Sequence, residues 1–336
     1  MAKGGKGARL LAAFLLSGAL CVYALPPARA AARYLVPVGH TVGIKLFADG
    51  VMVVGLGEVD HSGGTSSPGA ECGLRVGAVI DRANGTEVAS STQFADLLQC
   101  GGTVELDVVR DGETLSLEAE PVLGTDGTWR LGAWIRDSIA GIGTVTYYDP
   151  ETGAFGALGH AVADSDTGLI VPLDRGAVMG ASVKAVKKGT RGEAGELKGS
   201  FDLTRDLGTL ETNTASGVFG TLQPCGLWAG EALPVAEAGE VRPGRAVIRA
   251  NVSGDTVEEY TIEILRVLEP DAGQNMLIRV TDPRLIDLTG GIVQGMSGSP
   301  VIQNGRIVGA VTHVLINDPT RGYGIFIENM LEAAEQ

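Results

Sequence analysis

GMSGSPVIQNGRIVGAVT, residues 295–312, joins a glycine-rich turn to a β-hairpin. Asn304-Gly305 is a strong signal for a two-residue hairpin turn, and apolar residues dominate the run on each side of it. Gly295 and Gly298 let the chain turn sharply around Ser297, because glycine adopts conformations that side chains exclude. A serine exposed on such a turn suits a nucleophile, and the N–H groups of Gly295 and Ser297 suit an oxyanion site.

Short apolar runs with turn signals between them extend upstream of this hairpin. They predict that residues 129–336 form a β-sandwich or β-barrel, with helix only near the end, at 326–334. The apolar runs are residues 139–148, 168–173, 181–186, 207–211, 246–252, 256–268 and 276–280.

Residues 35–123 have the pattern of a separate compact module. A strand at 42–46 is followed by Asp49-Gly50, which predicts a hairpin turn, and by a return strand at 51–54. Ser91 is the expected N-cap of a short helix that ends at Leu98. Residues 103–110 and 113–119 alternate as two strands of a further hairpin.

Charge and the N-terminus restrict the class of protein. The net charge of −14 argues against nucleic acid and against a polybasic membrane-surface role. Residues 1–30 combine a positive start, an apolar stretch and the small residues Ala28 and Ala30, which predicts a signal peptide or a transient membrane anchor.

Three cysteines follow residue 30. Cys72 and Cys100 could pair, but buried free thiols are the simpler expectation.

A serine nucleophile requires a base, and the chain has four histidines. His40 and His61 lie in the 35–123 module. His160 lies between glycine-permitted turns and precedes Ser297, and a base from a separate part of the fold suits a Ser-His pair better than a neighbour in sequence. His313, which closes the hairpin, is the alternative. These patterns do not decide which residue supplies the orienting carboxylate. Five aspartates remain candidates: Asp164, Asp166, Asp174, Asp282 and Asp287.

Three resemblances sharpen these expectations. The segment SPGAECGLRVGAVIDRANGTEV, residues 67–88, resembles a bacterial PDZ domain, and the GxSGxP turn with its hairpin resembles the nucleophile loop of chymotrypsin-like proteases. The stretch at 280–331, together with GALGHAVAD at 156–164 and GIKLFADGVMVVG at 43–55, resembles the stage IV sporulation protein B family. This resemblance implies a mainly β chain with a PDZ domain (35–123) followed by a chymotrypsin- or trypsin-like double β-barrel serine peptidase domain (129–336).

By residue match, the resemblance implies His160 as the general base, Asp282 as the orienting acid and Ser297 as the nucleophile. The PDZ likeness implies that the loop Gly39-His40-Thr41-Val42-Gly43 binds the carboxylate of a peptide ligand, with the chain's own N-terminal segment as one such ligand. No metal and no cofactor are expected.

The family's role would be regulatory proteolysis. The peptidase is expected to be exported across the forespore membrane into the intermembrane space, at first membrane-associated through its N-terminal segment. There it would cleave itself and then cut a membrane-associated regulator of an intramembrane metalloprotease, which triggers processing of the sigma factor K precursor. The alternatives are a broad PDZ-protease of envelope quality control and a non-catalytic PDZ adaptor.

Overall fold

The computed structural model describes residues 33–110, 112–268 and 273–336. The predicted signal segment, and with it the proposed internal peptide ligand, lies outside the described residues. Among the helices that the structure does describe, none is long and apolar enough to cross a membrane.

The first barrel is a closed ring of six antiparallel strands. Its cyclic order is β2-β11-β12-β15-β14-β13, because β2 pairs with both β11 and β13. Alternate residues of β2, among them Val42, Ile44 and Leu46, point into its core. The strands are β2 (Thr41–Leu56), β11 (Ala133–Tyr148), β12 (Ala154–Ala157), β13 (Leu173–Lys187), β14 (Glu196–Thr214) and β15 (Gly217–Leu222), and β1 (Tyr34–Pro37) pairs with β11 and with β16 (Leu233–Pro234).

The second barrel closes in the order β17-β18-β19-β22-β21-β20. Ile248, Ile262 and Ile278 are almost fully buried in its core. The hairpin predicted at Asn304-Gly305 is confirmed, and so is the C-terminal helix. The elements are β17 (Gly244–Ser253), β18 (Thr256–Val267), β19 (Met276–Val280), α3 (Pro283–Thr289), β20 (Pro300–Gln303), β21 (Arg306–Leu315), β22 (Asp318–Phe326) and α4 (Ile327–Ala334), and short 3₁₀ turns lie at Gly226–Trp228 and Ala238–Glu240.

The PDZ-like module has its own core around Val53, Ile80, Phe94 and Leu106. The predicted helix is confirmed, although Ser90 and not Ser91 caps it, since its hydroxyl accepts from the N–H of Gln93. The elements between β2 and β11 are β3 (Val59–His61), β4 (Gly64–Ser66), α1 (Pro68–Glu71), β5 (Val79–Ala83), β6 (Thr86–Glu87), α2 (Ser91–Leu98), β7 (Val104–Arg110), β8 (Glu113–Ala119), β9 (Val122–Leu123) and β10 (Trp129–Arg130).

The module is inserted into the first barrel and does not simply precede it. Residues 41–48 of β2 pair within the barrel, and residues 51–56 continue into the module, where they pair with β5 and with residues 133–136 of β11. The hairpin predicted at Asp49-Gly50 is therefore wrong. Gly50, at φ +97°, bends one continuous strand, and a Cβ there would lie 2.5 Å from the Ile80 carbonyl oxygen. The strand pairing thus differs from the predicted boundaries of 35–123 and 129–336 at both junctions.

Candidate active site

Ser297 lies on a tight turn between α3 and β20. Gly295 and Gly298 both have φ +97°, and a Cβ on Gly298 would lie 2.0 Å from the Thr144 carbonyl oxygen. Only glycine therefore allows this approach to the first barrel. The Ser297 hydroxyl donates to the Thr312 carbonyl at 2.7 Å, so it must rotate before it can donate to a base.

Two peptide planes beside Ser297 are held by hydrogen bonds to their carbonyl oxygens. The Gln294 carbonyl accepts from Leu197 N at 2.9 Å, and the Met296 carbonyl accepts from Ser299 N at 3.0 Å. Because C=O and N–H point in opposite directions in a trans peptide, the N–H groups of Gly295 and Ser297 face away from these partners. Neither N–H donates a hydrogen bond to any described residue. This is the donor pair that a developing oxyanion requires.

Thr144 on β11 fastens this turn to the first barrel. Its hydroxyl donates to the Gly295 carbonyl at 2.7 Å, and its N–H donates to the Ser297 carbonyl at 3.1 Å. The two sides of the Ser297 turn are therefore held by the barrel that also carries His160.

His160 follows β12, after two residues in the left-handed region, Leu158 and Gly159. Its Nδ1 lies 2.7 Å from the Ala161 carbonyl oxygen, its one hydrogen-bond partner among the described residues. Since a carbonyl only accepts, Nδ1 must carry the proton, and Nε2 of the neutral ring keeps the lone pair that a base needs. Burial lowers the pKa of His160, and the bond to Ala161 opposes that shift.

Asn213, near the end of β14, fixes the segment that follows His160. Its side-chain oxygen accepts from Val162 N at 2.8 Å, and its amide donates to the carbonyls of Val162 and Val171 at 2.9 Å each. All three bonds hold backbone groups, so Asn213 positions the histidine segment without touching the imidazole. Nothing in the sequence pattern singled it out.

One cavity of about 470 Å³ between the barrels is lined by Ser297, His160 and His313. The two imidazole rings lie 5.1 Å apart with their planes at 41°. The structure thus brings together the predicted nucleophile and both candidate bases. Burial lowers the pKa of His313, and the nearby His160 lowers it further.

Asp282 caps helix α3 and does not bond to His160. Its carboxylate accepts from the N–H groups of Thr261 at 3.2 Å and Arg284 at 3.0 Å, and the Arg284 guanidinium bonds both its oxygens. The Arg284 side chain holds the pKa of Asp282 below its ordinary value although burial opposes this. The structure therefore does not bring Asp282 to His160, and the Ala161 carbonyl accepts from Nδ1 where the orienting acid was expected. The role of Asp282 as orienting acid stays a prediction.

None of the four other aspartates considered bonds to His160 among the described residues, and Asp287 is exposed on α3. Arg136 on β11 pairs with the buried Asp164 and, at 2.8 Å, with Asp166; Asp174 pairs with Arg175 at 2.9 Å. Burial raises the pKa of Asp164, but the hydrogen bonds from Thr167 and Asp166 and the charge of Arg136 together hold it below its ordinary value. These contacts anchor the tip of the segment after His160 to β11.

Replacing Asp282 should therefore lower stability more than chemistry. We expect Asp282→Ala to lose about 1–2 kcal/mol of unfolding free energy, because a helix cap and several hydrogen bonds disappear. Asp282→Asn keeps a good capping residue and should lose less. Urea unfolding and kcat of the folded fraction check this. A loss of kcat on the order of 10⁴ in a stably folded Asp282→Asn variant would restore Asp282 as the orienting acid.

The predicted PDZ carboxylate loop, residues 39–43, also lies elsewhere. Gly39 packs against Arg249 of the second barrel, His40 is buried, and the Thr41 hydroxyl donates to the Asn251 carbonyl at 2.9 Å. Val42 and Gly43 pair on one side with β11 and on the other with β13, so no free strand edge remains for a peptide. Gly39 and Thr41 thus contact the second barrel, while Val42 and Gly43 pair inside the first.

A groove suited to a peptide lies between α2 and residues 129–135 instead. This cavity, of about 600 Å³, is lined by Phe94 and Leu98 of the helix and by Leu131 and Gly132. The N–H groups of Leu131 and Gly132 donate to no described residue, and Trp134 beside them is 71% exposed. The missed signal was the glycine between apolar residues directly before a strand, in Leu131-Gly132-Ala133-Trp134.

Cys72, Cys100 and Cys225 are free thiols. Cys72 and Cys225 are partly buried, whereas Cys100 is exposed, so the expectation of buried thiols holds only in part.

The model of a family described as SpoIVB peptidase S55 matches residues 127–331. No curated protein matches the chain. Among solved structures, the chain is similar to the PDZ domain of the SdrC-like protein from Listeria monocytogenes, with 23% identity, 26% of this chain and 87% of that chain covered, and a TM-score of 0.21.

Two proteases are also similar in structure. For the active form of the Rv3671c protease from M. tuberculosis, the identity is 17%, 59% of this chain and 73% of that chain are covered, and the TM-score is 0.31. For the HtrA-type protease AlgW with a decapeptide, the identity is 12%, 68% of this chain and 54% of that chain are covered, and the TM-score is 0.34. The strand pairing of the two closed barrels and the inserted module defines the fold independently of these low scores.

Proposed function

Because the chain belongs to the SpoIVB peptidase S55 family, we propose that it is a serine endopeptidase in which Ser297 attacks the peptide carbonyl. The observation that carries this proposal is the pair of free N–H groups at Gly295 and Ser297, beside a serine hydroxyl that shares a cavity with His160.

The proposed reaction is acyl transfer. The Ser297 hydroxyl turns from Thr312 to Nε2 of His160, which takes the proton as Oγ bonds to the carbonyl carbon. The N–H groups of Gly295 and Ser297 stabilise the oxyanion; one such donor is worth roughly 2.7–4 kcal/mol in a comparable site. The imidazolium then gives its proton to the leaving amine, and water releases the acyl group. The Ala161 carbonyl holds the Nδ1 proton throughout.

The groove beside α2 is proposed as the second binding site. A peptide added along residues 131–135 would extend the sheet, and the free N–H groups of Leu131 and Gly132 would bind its terminal carboxylate. Exposed Trp134 would contact its side chains. The module would thereby hold a protein substrate or a regulatory peptide.

We propose for the chain the biological role that the family resemblance implies. The chain would act in the space between the two forespore membranes, after export directed by residues 1–30. It would cleave itself and then a membrane-associated regulator of an intramembrane metalloprotease, so that the sigma factor K precursor is processed. Family membership, the signal-like N-terminus and the inserted PDZ-like module support this role.

Class-specific inhibitors test the peptidase proposal. We expect the purified chain to digest casein, a fluorophosphonate to stop the digestion, and a metal chelator to leave it unchanged. Iodoacetamide, which alkylates free thiols such as that of Cys100, should also leave it unchanged. Digestion that resists the fluorophosphonate but stops with chelator or iodoacetamide would reject a serine mechanism.

A complementation experiment tests the signalling role separately. In an endospore-forming strain that lacks its own enzyme, the wild-type chain should restore processing of the sigma factor K precursor, and the Ser297→Ala variant should not. Failure of the wild-type chain there, with casein digestion intact, would reject the signalling role and keep the peptidase.

The pH profile should show whether His160 lacks a carboxylate partner. Burial lowers its pKa, so the neutral base persists below the ordinary value of about 6.5, and the acid limb of kcat/KM should have its midpoint below that value. His313→Gln should keep this limb, because His160 is the base. A midpoint clearly above 6.5 would indicate a carboxylate that stabilises the imidazolium, and would contradict the present geometry.

A further inference from the structure

We propose that the enzyme cleaves after an aliphatic residue, so that the side chain on the acyl side of the scissile bond is apolar and of medium size. This inference rests on the proposed function and adds the substrate class that the same cavity accepts.

The strand β21 offers a free edge for the substrate beside Ser297. β20 pairs with β21 only up to Ala310, and β22 covers the opposite edge. From Thr312 to Leu315, no described strand pairs with the edge that faces the Ser297 turn, and at Ile316 the carbonyl accepts from Gly192 N at 2.8 Å. An extended substrate can add there as a strand, which places alternate side chains into the space between residues 312–316 and residues 292–295.

This space has aliphatic walls. Ile292 and Val293 line the cavity on one side of it, and Val314 and Ile316 line it on the other, with Ala194 close by. Among the described lining residues of this cavity there is no Asp, Glu, Lys or Arg; His160 and His313 are its titratable groups. An adjoining cavity that shares Gln294 and Gly295 does carry Glu196 and Lys198, so the lack of charge is particular to the first cavity.

Backbone packing is close around Gly291 and Gly322, next to Ile292 in the cavity wall. A Cβ at Gly291 would lie 2.1 Å from the Pro319 carbonyl oxygen, so this position has no room for a charged side chain. A Cβ at Gly322 would lie 2.6 Å from Cδ1 of Ile292, so the Ile292 side chain packs against Gly322 of β22. A long basic side chain would find no counter-ion among the described residues that line the cavity, and an unpaired charge is costly to bury.

Peptide aldehydes that differ only in the last residue test this preference. They form a reversible adduct with a nucleophilic serine, and their potency is measured as protection of Ser297 from a fluorophosphonate. We expect the Val, Leu and Met aldehydes to protect on the order of 100-fold better than the Lys, Arg, Asp and Glu aldehydes.

Ile316→Asp provides a second arm, because Ile316 is 54% exposed and tolerates a polar side chain. The ratio of Lys to Leu aldehyde potency should rise by about 10-fold in this variant, since apolar contact is lost and a counter-ion is gained. Leu227→Asp is the matched control: Leu227 is 40% exposed, lies outside the cavity and should leave the ratio unchanged.

The outcomes separate the two proposals. Stronger protection by the charged aldehydes, or equal protection by all of them, would overturn the aliphatic preference while labelling of Ser297 upholds the nucleophile. A fluorophosphonate that fails to label Ser297 in the folded chain would overturn the proposed function itself. If Ile316→Asp does not fold, the aldehyde series on the wild-type chain still decides.

Discussion

Replacing Ser297 with alanine is expected to lower kcat on a peptide substrate by a factor on the order of 10⁶, because the acyl-enzyme can no longer form. The fold should survive the change. The hydroxyl makes one hydrogen bond, to the Thr312 carbonyl, and the turn itself is held by Gly295, Gly298 and the two contacts from Thr144. Initial rates of peptide cleavage at saturating substrate measure the effect.

Ser299 supplies the matched control two residues away. It is fully buried, and its hydroxyl has no hydrogen-bond partner among the described residues. Ser299→Ala should therefore keep kcat of the same order as the wild type. Comparable losses in Ser297→Ala and Ser299→Ala, with both variants folded, would mean that the turn is structural and that the nucleophile lies elsewhere.

Replacing His160 with alanine is expected to cost nearly as much as losing Ser297, again on the order of 10⁶ in kcat. The serine hydroxyl is a weak nucleophile without a base, and Nε2 of His160 is the nitrogen left free by the Nδ1 bond to Ala161. Since the two residues act as one unit, the variant that lacks both should be no slower than either single variant.

His313→Ala distinguishes the two histidines. His313 shares the cavity with His160, but its ring is more exposed and no protein group fixes it by a hydrogen bond among the described residues. We expect the His313→Ala variant to keep most of its activity. A full loss in His313→Ala together with a small loss in His160→Ala would reverse the assignment of the base.

Local patterns predicted the elements whose partners are near in sequence. The turn at Asn304-Gly305, the helix that ends at Leu98 and the glycines around Ser297 all follow from residues within a few positions of one another. Their conformation depends on turn and capping chemistry, which a single sequence displays.

The insertion of the PDZ-like module could not be predicted this way. Residues 41–48 pair with strands more distant in sequence, β11 and β13, whereas the local pattern at Asp49-Gly50 favours a hairpin. The same pairing places Val42 and Gly43 inside the first barrel, and Leu131 and Gly132 line the groove of the module.

Asp282 shows a different limit of prediction from the sequence. Its position before Pro283 is a helix-start signal that was available in the sequence, because Asp favours the N-cap and Pro the first helical turn. Family resemblance suggested an orienting acid instead. The structure follows the capping chemistry, with Arg284 as the charge partner.

The rate of fluorophosphonate addition, mapped by mass spectrometry, tests the central claim most directly. The claim is that Ser297 is activated by His160 without a carboxylate on the imidazole. It predicts an adduct on Ser297 that forms at a similar rate in the wild type and in Asp282→Asn, and that is nearly abolished in His160→Ala. An adduct on another residue, or an adduct that forms on the order of 10⁴-fold more slowly in a folded Asp282→Asn variant than in the wild type, would contradict it.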